Sequence, residues 1–256
     1  MWTIRQDQTE AFRQAHLKRF EDEMVEHLQK FSPQHSKMVG DAGTRQLIRL
    51  GMDNASKYGL SNRGPLRFYM ELMFMFGSYF DTDPQHPWAS TVLMDRKGIS
   101  QEVCADRLFE AMNDFKEEIV DPERKHLIES LQEIRNSRVE DCLPAGVRFE
   151  DAMLQCVQSA CPIRSEYLGE SVLRKLVLFG SEIARRFDFK TDRGIALIVA
   201  MVFLGGHGFF RDPQYWWIAK GLDAKQYPDE KQRVEYLCSQ SGRYLDSILS
   251  GERINQ

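Results

Sequence analysis

The chain has 256 residues, 42% of them hydrophobic and 11% aromatic, which is enough to bury a full core as one domain over residues 1–256. Its net charge of −4, with Lys and Arg interspersed among acids, offers no basic field for phosphates, so a nucleic-acid role has no electrostatic footing. Cys104, Cys142, Cys156, Cys161 and Cys238 contain no C-x-x-C pair, so the simplest expectation is five free thiols in a reducing cytoplasm.

Helical periodicity runs through the whole chain, and alternating strand-like runs are nearly absent. Arg5, Asp7 and Glu10 interrupt the first residues before an amphipathic helix over 7–30, which argues against a signal peptide. A second helix over 43–58 sets Leu47, Ile48, Gly51, Ala55 and Tyr58 at helical spacing and ends on Gly59. Pro65 opens a third, with Leu66 to Phe80 apolar on most sides. After an Asp-Pro loop and a short segment near 88–94, helices follow at 100–120, 122–143, 148–160, 166–187, 193–209 and 228–249, with another short segment at 214–222. The uncharged run from Gly194 to Phe210 is at the bottom of the spanning range and holds four glycines and His207, so it reads as a buried helix and no membrane span is expected.

A constant shift of 129 residues lays Arg45 on Arg174, Leu47 on Leu176, Gly51 on Gly180, Phe74 on Phe203 and Gly77 on Gly206. It continues with Asp83-Pro84-Gln85 on Asp212-Pro213-Gln214 and Trp88 on Trp217. Roughly a dozen of about fifty positions match, against about three by chance, which marks a duplicated unit. The expected fold is an all-α helical bundle of about nine helices, built from two tandem copies of a four-helix unit. The copies span 44–120 and 173–249, are joined by helices within 121–165, and pack with pseudo-twofold symmetry.

Asp before Pro is held out of the α region and suits a helix N-cap, so Asp83, Pro84, Asp212 and Pro213 read as structural, with Trp88 and Trp217 folding back onto the core. Asp81 and Asp83 could share a hard cation, but the second copy has Phe210 where the first has Asp81. Glu123-x-x-His126 is half of a di-iron pattern without its second copy. Gly205-Gly206-His207-Gly208 follows an apolar helix and not a strand, unlike a phosphate-binding loop. No catalytic, metal or cofactor-binding residue is therefore assigned. The two copies differ at Tyr215-Trp216 against His86-Pro87, at His207 against Ser78 and at Asp81 against Phe210. Trp216, Tyr215, His207 and Asp81 are accordingly the candidate partner-binding residues.

The pattern Arg45-x-Leu47-Ile48-x-x-Gly51, Ala55-x-x-Tyr58-Gly59, Leu72-Met73-Phe74-x-x-Gly77-x-x-Phe80-Asp81-x-Asp83-Pro84 and Pro87-Trp88-Ala89 resembles a family of uncharacterised all-helical bacterial proteins. Helix 10–31, with Arg19-Phe20-Glu21-Asp22-x-Met24-Val25-x-His27-Leu28, fits the same pattern. Members are encoded beside type VI secretion genes for spike, PAAR-tip and toxic effector proteins. The resemblance implies a protein that acts by binding a neighbouring effector or spike/PAAR protein, as an effector adaptor or chaperone. An immunity protein that neutralises a cognate toxin is the alternative, and a helical metal-dependent enzyme or toxin a remote one.

Overall fold

The computed structural model describes residues 6–95, 98–119 and 125–254, and among these are eleven α-helices, four short 3-10 turns and no strand. The first half contains α1 (Gln6–Phe31), α2 (Pro33–Lys57), α3 (Arg63–Phe76), α4 (Pro87–Met94) and α5 (Gln101–Ile119). Then come α6 (Lys125–Asn136), α7 (Phe149–Ala160), α8 (Pro162–Arg186), α9 (Asp192–Gly205), α10 (Trp216–Leu222) and α11 (Glu230–Ile254).

Two helices begin earlier than their periodicity suggests. Helix α2 starts at Pro33 and not at 43, and α8 at Pro162 and not at 166, each with proline in the first turn, where its missing N–H costs nothing. Both bend where Gly40 (φ 74°) and Gly169 (φ 72°) leave the helical region. In each, a serine hydroxyl on the first turn donates to the preceding helix, Ser36 to the Leu28 carbonyl and Ser165 to that of Val157.

Helices α3 and α9 stop short of the expected 80 and 209. Gly77 and Gly206 turn the chain at φ 95° and 86°, and 3-10 turns follow at Phe80–Thr82 and Phe209–Arg211. The expected helix over 122–143 is shorter as well. Its described part ends at Asn136, and the Arg138 N–H donates to Asp141 in a separate 3-10 turn, Val139–Cys142.

That turn corrects the expectation of five free thiols. It lies against α7 and carries Cys142 into a disulfide with Cys156, at a Cα separation of 5.2 Å; Cys161 and Cys238 are free thiols. A spacing of fourteen residues with no motif gave no local signal for the pair.

Two apolar clusters form the core. One gathers Leu28, Leu47, Met70, Met73, Phe80 and Leu108, the other Leu176, Ile198, Val202, Phe209 and Leu237, and Tyr167 packs against both. Helix α9 is buried from Gly194 to Val199, which explains its lack of charge, and no helix among the described residues is long and apolar enough to cross a membrane.

Candidate functional site: the paired Asp-Pro-Gln turns

The two Asp-Pro-Gln turns meet between the clusters. Proline holds each preceding aspartate extended, Asp83 at φ −76°, ψ 125° and Asp212 at φ −79°, ψ 122°. One carboxylate oxygen of each then accepts the N–H two residues on, Gln85 at 2.8 Å and Gln214 at 2.9 Å. That local bond is the expected cap. The other oxygen reaches into the opposite half: Asp83 accepts the backbone N–H of His207 at 2.7 Å, and Asp212 accepts that of Ser78 at 2.7 Å.

The glutamines do the same. Gln85 donates to the Val202 carbonyl at 3.2 Å and Gln214 to that of Met73 at 2.9 Å, which ties each turn to the end of the other half's central helix. Their carbonyl oxygens bind the start of the kinked helices: Arg164 donates to Gln85 at 3.0 Å, while His35 shares a 2.7 Å hydrogen bond with Gln214. Over the rings, Arg164 sits 5.0 Å above Phe203 and His35 lies 4.5 Å from Phe74. In each of these pairs of contacts the corresponding residues are 129 apart.

Glycine is required where the halves touch. A Cβ on Gly206 would stand 2.7 Å from the Asp83 carboxylate, whereas one on Gly77 would have 3.4 Å of room. Both residues occupy a backbone region that is essentially glycine-only. Gly206→Ala is expected to cost about 1–3 kcal/mol from the backbone alone, and more than Gly77→Ala because the clash adds to it. Urea unfolding of the two variants side by side checks the order.

The two carboxylates are electrostatically unequal. Burial pushes Asp83 up, but the hydrogen bond from the His207 side chain, the nearby His86 ring and the Gln85 N–H outweigh it, leaving the group below its usual value. Burial wins at Asp212, which stays above its usual value despite four hydrogen bonds from Ser78 and Gln214. His86 packs among Phe76, Phe115 and Trp88, and burial first, then the Arg164 charge, hold its pKa down to about 3.

The candidate partner-binding residues differ in exposure. Trp216 is 57% exposed on the first turn of α10. Tyr215 is half-buried, 5.5 Å from the Tyr244 ring and edge-on to Trp217, and therefore packs the core. His207 is also half-buried; its Nδ1 lies 3.3 Å from Asp83 and its Nε2 3.4 Å from the Thr82 hydroxyl. Asp81 is only 4% exposed and accepts the Tyr58 hydroxyl at 2.9 Å, so it is removed from any contact surface. Trp88 and Trp217 are buried, Pro84 is exposed and Pro213 half-buried.

Asp81 and Asp83 serve different partners, and among the described residues no group of three or more His, Cys, Asp and Glu side chains could hold a metal ion. His126 sits 3.3 Å from Glu129, while Glu123 lies outside the described residues. Sequence reasoning missed Gln85, Gln214, His35 and Arg164. The signal available for the glutamines was their place after Asp-Pro in both turns; His35 and Arg164 differ in type and gave none. No family model, curated protein or solved structure matches this chain.

Proposed function

We propose that the chain is a protein-binding accessory protein of a bacterial type VI secretion effector locus, working in the cytoplasm as an effector adaptor or chaperone. Two tandem copies of one helical unit, related by a pseudo-twofold, form its body. The paired hydrogen bonds at a constant offset of 129 support the duplication, and the type VI setting rests on the family resemblance. The equivalence reaches back beyond 44 and 173. Arg45 pairs with Asp22 and Asp41, and Arg174 with Asp151 and Glu170, at the same offset.

The observation that carries a binding role is Trp216. The first copy has Pro87 at that place, next to a buried Trp88; the second keeps the buried Trp217 and adds an exposed indole. A large aromatic on the first turn of a short helix, left in solvent beside a tightly bonded core, has the character of an interface anchor. Co-expression with each adjacent gene product tests this reading. Co-purification with an effector or spike/PAAR protein is expected, without rescue from toxicity. Rescue from a toxic neighbour would transfer the role to immunity, and binding to neither would end both.

A further inference from the structure

The second half contains a cavity of about 520 Å³ walled by α6, α7, α9 and α11, with the Cys142–Cys156 disulfide in its side. Its floor is apolar, with Ala196, Ala200, Met201 and Leu204 of α9. The residues 129 positions earlier explain why it is open. Where the second half has Cys156, Ala196 and Ala200, the first has His27, Arg67 and Glu71. Those three form a polar cluster there, His27 at 2.6 Å and Arg67 at 3.4 Å from Glu71, and the pocket beside them measures only about 280 Å³. Three large polar side chains in one half correspond to three small ones in the other, and a ligand-sized hollow results.

The mouth carries Arg135, Arg138, Arg193 and Glu140. Arg135 is held by both oxygens of Asp246 at 2.7 and 2.9 Å, and Arg193 pairs with Glu140 at 2.7 Å. Arg138 is exposed, and although its backbone N–H is bonded to Asp141, its guanidinium makes no ion pair with an acidic side chain among the described residues. An apolar hollow beneath one uncommitted guanidinium matches a molecule with an aliphatic tail and a single carboxylate.

We propose that this cavity binds a small aliphatic monocarboxylate of the medium-chain fatty-acid class, with its tail against α9 and its carboxylate on Arg138. The site is independent of Trp216 and of any protein partner. Isothermal titration with decanoate and with decan-1-ol, each below its aggregation limit, tests it on the full chain. Decanoate is expected to bind roughly tenfold more tightly than the alcohol, the value of one charge-assisted hydrogen bond. Arg138→Gln removes that advantage and leaves the alcohol unchanged. Ala200→Phe, which fills the floor, abolishes binding of both. No heat or thermal stabilisation with decanoate, equal affinity for acid and alcohol, or indifference to both substitutions would overturn the proposal. Because Arg138 is on the surface, Arg138→Gln decides the matter even where Ala200→Phe fails to fold.

Discussion

Asp212→Ala is expected to destabilise the protein by about 3–5 kcal/mol, several times the effect of losing an ordinary helix cap. A cap alone is worth about 0.5–2 kcal/mol. Asp212 does more, because its oxygens accept the Ser78 N–H, the Ser78 hydroxyl and the Gln214 N–H, all buried. Removing the carboxylate leaves those donors without a partner, and each buried unsatisfied donor costs about 1–3 kcal/mol. Asp212→Asn retains one acceptor oxygen and is expected to lose less. Urea unfolding measures both, and a loss within the cap range for Asp212→Ala would show that the cross-half bonds carry little weight. The same reasoning applies to Asp83→Ala through the His207 and Gln85 N–H groups.

Acid is expected to weaken the fold through His86, beginning as the pH falls below the ordinary histidine value of 6.5. His86 has a folded pKa of about 3 against an ordinary value of 6.5, so the folded protein keeps it neutral while the unfolded chain takes up a proton. A depressed histidine stabilises nothing extra above pH 6.5. Below that value stability falls by about 1.4 kcal/mol per pH unit, until the folded ring titrates near 3. Between pH 6.5 and 4.5 the loss attributable to His86 is therefore about 2–3 kcal/mol. His35, also depressed by burial, adds to the fall in the same direction. Asp212, raised by burial, acts the other way as it protonates, so the comparison must be made against a variant at each pH. His86→Phe suits the surrounding rings of Phe76 and Phe115 and is expected to flatten the profile over this range. A profile as steep as the parent's would exclude His86 as the cause.

The all-helical fold was legible because apolar residues recur at helical spacing, as in Leu47, Ile48, Gly51 and Ala55, and proline or glycine marks most ends. The early starts of α2 and α8 were not legible. Their first turns, before the Gly40 and Gly169 bends, are held by Ser36 and Ser165 against a preceding helix and not by their own periodicity. The Asp-Pro turns were visible as caps, since Asp, Pro and the following N–H groups are neighbours in sequence. Their second bonds were not, because Ser78 and Asp212 are 134 residues apart and meet only when the halves pack. Asp81 was singled out because position 210 has Phe where an acid would correspond, but its burial and its bond from Tyr58 could not be read from that difference. The disulfide escaped for the same reason as the Ser78 bond, because its spacing acquires meaning only when the 3-10 turn lies on α7.

If the protein acts by contact, its exposed indole is the residue to remove. The decisive measurement is the affinity of Trp216→Ala for the neighbouring effector or spike/PAAR protein that co-purifies with the parent chain, taken together with its melting temperature. Trp216 keeps more than half of its surface in solvent, so the melting temperature is expected to fall only slightly while binding weakens by at least about 2 kcal/mol, roughly thirtyfold. Unchanged affinity in a normally folded Trp216→Ala protein would contradict the account.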